Sequence, residues 1–145
     1  MVGWHGDYVA DMSLEMAEKA VAAARAKAKE IGVPMAVSVV DGAGRLVIFV
    51  RGDGTGFFTP ESTKGKAVAA AALRRPTSEL GNFGGNPTVL GIYAGLVPGG
   101  FWPASGGHPV VVSGRIIGAV GCGGASGEQD AECAQAGAEA LMGGG

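Results

Sequence analysis

The stretch 106–140, GGHPVVVSGRIIGAVGCGGASGEQDAECAQAGAEA, limits what this chain can fold into more than any other. Pro109–Ser113 and Arg115–Cys122 are rich in Val and Ile, and Ser113-Gly114 between them suits a two-residue hairpin turn. Gly123-Gly124-Ala125 breaks the second strand. Ser126 and Gln129 then fit the S-x-x-Q capping box, in which each side chain satisfies an orphan amide at a helix start. A strand emptying through glycines onto a helix N-terminus offers backbone amides to an anion. The same glycines also serve close helix–sheet packing, and the sequence leaves both uses open.

The rest of the chain supplies partners for this unit. Residues 1–11 read as an arm that docks through Trp4, His5 and Tyr8; the domain proper is expected over residues 13–145, with 1–12 as the arm. Ser13 is placed to cap a helix whose Leu14, Ala17, Val21, Ala24, Ala28 and Ile31 share one face, and Gly32 and Pro34 end it. Met35–Val40 and Arg45–Arg51 read as two strands joined by the turn Asp41-Gly42-Ala43-Gly44. The near-continuous hydrophobicity of both predicts cover on both faces. Thr59 as cap, Pro60 and Glu61 open a second helix that runs to Arg74-Arg75 and stops at Pro76. Residues 81–108, interrupted by glycines and prolines, are expected to be irregular with one short strand near Phe101, forming a lid, a pocket wall or an oligomer contact. Strands joined by tight turns are antiparallel, with helices laid on the sheet, so the fold class is α+β.

Composition narrows the partners. The chain has 145 residues, enough for one domain with a real core. Its charged fraction of 17% lies below the usual quarter or so, which points to surface buried in a homo-oligomer. A net charge of −2 without a basic cluster gives no footprint for nucleic acid or an anionic membrane. No apolar run reaches the roughly twenty residues of a membrane helix, and the N-terminus lacks the pattern of a signal peptide, so a cytoplasmic location is expected.

The chemical motifs are few. Gly121, Gly123 and Ser126 miss the third glycine of a dinucleotide loop, and no strand follows the last helix to complete a βαβ unit. No zinc spacing occurs, and metal ligation by protein groups alone is not expected. His108, held between Gly107 and Pro109, is a candidate proton carrier or axial haem-iron ligand, or an ordinary loop histidine; His5 is a second iron candidate. Asp41 is a turn residue or a proton carrier. Lys66 and Arg75 are carboxylate anchors or solvated helix cations, and Glu128 and Asp130 are favourable charges in a helix first turn. Cys122 and Cys133 read as buried apolar groups, with a lowered thiol pKa at Cys122 as the reactive alternative.

Three runs together resemble a known family: Gly32-Val33-Pro34-Met35 into Ser38-Val39-Val40-Asp41 with Gly44; Lys66-Ala67 through Pro76-Thr77-Ser78; and Gly106-Gly107-x-Pro109-Val110 with Gly114, Ile117–Gly121 and Gly127-Glu128-Gln129-Asp130. The ensemble, covering residues 13–142, is similar to the haem-binding HbpS/GlcG family, which includes the C-terminal domain of PduO-type proteins. The resemblance implies a profilin-like layered domain, an antiparallel sheet flanked by helices, assembling into oligomers. It implies haem as a possible cofactor, and a ligand pocket at Asp41, Lys66, Pro76, Thr77, Gly106, Gly107, Pro109 and Gly124, to which the residues themselves add Arg75 and His108. In haem-binding relatives an axial histidine lies in the N-terminal helical region, whereas Ser13–Ile31 here contains none. Two functions are therefore expected: an oligomeric protein binding haem or a small anionic ligand, or a small cofactor-independent catabolic enzyme acting on an organic acid or imine, with His108 or Asp41 moving the proton.

Overall fold

Ser13 and Gly32 bracket the first helix, α1 (Leu14–Ile31), as its sequence predicts. The Ser13 hydroxyl accepts the Met16 N–H at 3.1 Å, and Gly32 takes the left-handed conformation (φ 73°) that lets its N–H close the last turn. The computed structural model describes residues 11–80, 86–97 and 99–142. After α1 come β1 (Ala36–Asp41), β2 (Leu46–Arg51), α2 (Thr59–Leu73), a 3-10 turn (Thr77–Leu80), α3 (Pro87–Leu96), β3 (Gly107–Val112), β4 (Arg115–Gly123) and α4 (Gly127–Met142).

The two hairpins lie side by side in one antiparallel sheet of order β2-β1-β4-β3. Ser113 (φ 52°) and Gly114 (φ 75°) both take positive φ between β3 and β4, as a two-residue I′ hairpin turn requires. Strand β1 is buried along its whole length, and its pleat sorts its side chains. Val37 and Val39 join the cluster under α1 and α4, while Ser38 and Val40 meet α2 on the other face. The domain is thus an α+β sandwich of three layers, α1 with α4, the sheet, and α2.

Small residues set the spacing of these layers. Ala20 and Ala24 of α1 approach Gly137 of α4, where a Cβ would stand 2.9 Å from the Ala20 carbonyl oxygen. On the opposite face a Cβ on Gly121 would overlap the Thr63 carbonyl, and one on Gly107 would overlap that of Lys66. Helix α2 therefore rests directly on the backbone of β3 and β4.

Four local expectations are corrected. No strand forms at Phe101; it is buried and meets Tyr93 of α3 edge-on, with ring centroids 6.1 Å apart. The supposedly irregular segment contains α3, started by Asn86, whose side chain accepts the Thr88 and Val89 N–H groups, with Pro87 in the first turn. Phe58, not Thr59, is the N-cap of α2, because the Thr59 hydroxyl donates backwards to the Gly56 carbonyl at 2.9 Å. Strand β2 is an edge strand, half-buried rather than covered on both faces. The expected capping box at α4 is present: Ser126 N–H donates to Gln129 Oε1 (3.1 Å) and Gln129 N–H to Ser126 Oγ (3.2 Å).

Candidate functional site

The start of α4 sits at the end of the sheet where β4 stops, and two cavities open on either side of it. The first is built around Lys66, on the face of α2 that lies against Gly106 and Gly123. Its ammonium crosses the sheet end, donating to the Cys122 carbonyl at 2.9 Å and to Asp130 Oδ2 at 3.1 Å, with both side chains of the pair 6% exposed. Asp130 Oδ1 accepts the Ala125 N–H at 3.0 Å. The pair therefore ties α2 to the first turn of α4. Burial pushes the Asp130 carboxyl above the usual Asp value, against the opposing pull of the Lys66 ammonium and of its hydrogen bonds.

Over this pair opens a cavity of about 300 Å³, walled by Phe58 and Trp102 and floored by Ser62, Lys66, Asp130 and Gly123. The Lys66 nitrogen lies 5.2 Å from the Trp102 ring centroid. Trp102 is held by its own N–H, which donates to the Gly65 carbonyl at 3.0 Å. Gly124 (φ 133°) turns the chain at the rim, where a Cβ would stand 2.8 Å from Thr55.

The second is an open cleft of about 670 Å³ between His108, the 3-10 turn and the outer face of α4. The pleat puts His108 on the same side of β3 as Val110, hence toward α4. Its Nδ1 lies 2.9 Å from the Pro109 carbonyl oxygen. A carbonyl only accepts, so Nδ1 is the donor in this contact, which leaves Nε2 as the ring nitrogen that can offer a lone pair. Glu79, Glu128 and Glu132 also line the cleft.

The sequence candidates divide between these places. Lys66 and Gly124 border the first cavity, and Pro76, Gly107 and His108 border the cleft. Thr77 is a buried brace: the Gly107 N–H donates to its hydroxyl oxygen at 2.8 Å. Gly106 and Pro109 are buried beside these groups, and the Gly106 carbonyl accepts the Cys122 N–H. Arg75 is exposed and lines neither cavity; its Nε donates to the Leu73 carbonyl. Asp41 stands at the other end of β1, where Oδ1 accepts the Ala43 and Arg45 N–H groups and Oδ2 pairs with the Arg45 guanidinium at 3.2 Å. His5 lies outside the described residues.

Two expectations change. Asp130 stands in the first turn of α4, as expected, but is also half of the buried pair with Lys66, which is therefore no solvated cation. The Cys122 thiol is not activated: burial first, then the nearby Cys133 and Asp130, push it well up, and Cys133 is raised to about 11, chiefly by burial. Both cysteines are free and packed in the apolar core, as the structural reading of them expects. Sequence reasoning missed Ser62, Phe58, Trp102 and the acidic wall of the cleft. The spacing of Ser62 to Lys66, and of Glu128 to Glu132, is one helical turn and was the available signal.

Comparison with known proteins gives a consistent assignment. Residues 12–139 match the family described as "Haem degrading protein HbpS-like". A 15.0 kDa protein from the dhaT-dhaS intergenic region of Citrobacter freundii is 34% identical over 127 residues, which are 84% of this chain and 86% of that one. Protein GlcG of Escherichia coli K12 is 34% identical over 110 residues, 76% and 79% of the two chains. A double mutant of Streptomyces reticuli HbpS superposes with a TM-score of 0.81 at 34% identity, covering 96% of this chain and 92% of that one. The PduOC–heme complex gives 0.78 at 30% identity, with 91% and 95% covered. With the family model spanning nearly every described element and the same layered sheet in these relatives, the chain belongs to the HbpS-like family.

Proposed function

We propose that this protein binds haem in the cleft between β3 and α4, with His108 as the residue offered to the iron. The observation that carries the reading is the His108 ring itself. A histidine whose Nδ1–H donates to a backbone carbonyl is fixed in tautomer and orientation, the usual preparation of a metal-ligating imidazole. The cleft, at about 670 Å³, falls in the range of small-molecule and cofactor sites. Bound haem would supply redox and ligand-binding chemistry at its iron. This chain would contribute the Nε2 donor and an acidic wall of Glu79, Glu128 and Glu132, whose charge would favour the iron and disfavour propionates beside it. That wall also argues against a small free anion as the ligand here. HbpS and PduOC, the latter solved with heme, support the same class of ligand.

The catalytic alternative has less behind it. Of its residues, Asp41 and Lys66 are each engaged with an intramolecular partner at opposite ends of β1, Arg75 is exposed and lines neither cavity, and His108 has no Lys or Arg beside it in the cleft lining. Assembly into a homo-oligomer belongs to the proposal. Its support is the exposed apolar surface of Ile92 and Leu96 on the uncharged helix α3, and of Phe57. No helix among the described residues is long and apolar enough to cross a membrane, which is compatible with the cytoplasmic location expected from sequence.

Titration of the purified protein with hemin tests the reading. A saturable Soret shift at micromolar protein is expected, lost or weakened more than tenfold in His108→Ala. Absence of a saturable shift in the unmodified protein overturns haem binding. An unchanged spectrum and affinity in His108→Ala overturns the ligand assignment.

A further inference from the structure

We propose that the cavity between Phe58 and Trp102 is a second binding site, separate from the His108 cleft, for a small neutral planar carbonyl compound such as an aromatic amide or aldehyde. The two cavities share no lining residue.

Hydrogen-bond counting defines the ligand. An ammonium group has three N–H donors, and Lys66 uses two, on the Cys122 carbonyl and Asp130. Ser62 is 8% exposed, and its hydroxyl has no partner among the described residues, although it lies on the cavity floor. No buried side-chain polar atom among the described residues lacks a partner, so the Ser62 hydroxyl is open to the cavity, where solvent or a ligand completes it. Both donors converge: the point where a Cβ of Gly123 would stand is 3.5 Å from Lys66 Nζ and 3.7 Å from Ser62 Oγ. The two donors thus flank Gly123, and without a side chain there an acceptor in contact with its Cα can approach between them.

Charge then separates the possible acceptors. Lys66 is already neutralised by Asp130 at 3.1 Å, and the Asp130 carboxylate faces the same cavity. A carboxylate ligand would meet that negative charge at short range, whereas a neutral carbonyl oxygen accepts the same two hydrogen bonds without the repulsion. The walls suit the remainder of such a molecule. Phe58 and Trp102 are 52% and 44% exposed, large aromatic surfaces at the mouth of a cavity of about 300 Å³, the size of a one-ring ligand.

The test uses the full chain and benzamide as probe, followed by saturation-transfer NMR, with benzoate as the charged comparison. Benzamide is expected to bind saturably in the millimolar range or tighter, and more strongly than benzoate. Ser62→Ala removes one donor and should weaken benzamide about five- to tenfold. Gly123→Ala places a methyl between the two donors, tight against the buried Thr63 methyl at 3.1 Å, and should abolish binding while the far-UV circular dichroism remains that of the parent. His108→Ala should leave benzamide binding unchanged, and Ser62→Ala should leave the hemin titration unchanged, so the two sites fail independently. No binding of benzamide up to ten or so millimolar, tighter binding of benzoate, or full binding in folded Gly123→Ala each overturns the proposal.

Discussion

Replacing Lys66 by Met isolates the ion pair that joins α2 to α4. Methionine keeps the length and apolar stem of the lysine but removes the ammonium. Asp130, 4% exposed, then keeps its hydrogen bond from the Ala125 N–H but loses its counter-charge. Breaking a buried pair from one side costs about 3–5 kcal/mol. For a domain of this size that lowers the melting temperature by roughly 6–20 °C. The reciprocal change should be milder. Burial already raises the Asp130 carboxyl, and Asp130→Asn supplies an uncharged side chain whose one oxygen still accepts from either Lys66 or the Ala125 N–H, while Lys66 keeps its bond to the Cys122 carbonyl. The pH dependence follows from the same direction. An acid raised in the folded state contributes stability that is fully present below its unfolded pKa, near 4, and is lost as pH rises through the folded value. Without Lys66 the carboxyl rises further, so the deficit of Lys66→Met is largest at neutral pH and shrinks on acidification. Urea melts of the parent and both variants between pH 4 and 7, with unchanged m, measure this. The reasoning is refuted if Lys66→Met matches the parent at pH 7, if its deficit grows in acid, or if Asp130→Asn is the more damaging change.

Two glycines should respond differently to alanine. Gly121→Ala forces a Cβ into the Thr63 carbonyl and should cost about 3 kcal/mol by displacing α2, whereas Gly114→Ala meets no atom within 4 Å and pays only for its positive φ, about 1 kcal/mol. Urea midpoints decide the order, and equal costs would refute the packing account. The thiols of Cys122 and Cys133, buried and raised, should resist iodoacetamide at pH 8 in the native protein and react once it is unfolded in guanidinium. Native labelling at the rate of a free thiol would contradict this.

The hairpins and helix caps were legible because their signals are local. Ser13 and Gly32, Ser113-Gly114, and Ser126 with Gln129 each act within a few residues, and each does in the fold what its sequence indicates. Helix α3 was hidden because Thr88 and Val89 are β-branched and Gly91 and Gly95 interrupt any periodic face. Its start, Asn86-Pro87, was the readable part. Strand β2 looked fully buried because Leu46–Val50 is apolar on both sides, but the sheet order leaves it at an edge. Only pairing between the two hairpins, a non-local event, could reveal that.

The candidate site was less legible because its contacts cross the sequence. Lys66 and Asp130 lie 64 residues apart, and no spacing rule links them. The glycines of 106–124 posed a choice between packing and ligand approach, and the structure shows their packing role directly. Gly121 and Gly107 lack the side chains that would hold α2 away from β3 and β4. That approach carries Lys66 past the end of the sheet to reach Asp130 across the first turn of α4. Gly123, next on the same face of β4, then leaves an empty volume between Lys66 and Ser62. The close packing of the layers is what positions the buried ion pair, and the ion pair with the Ser62 hydroxyl is what gives the space beside it chemical character. A larger residue at Gly121 should therefore disturb the cavity as well as the core, through the displacement of α2 that carries both Ser62 and Lys66.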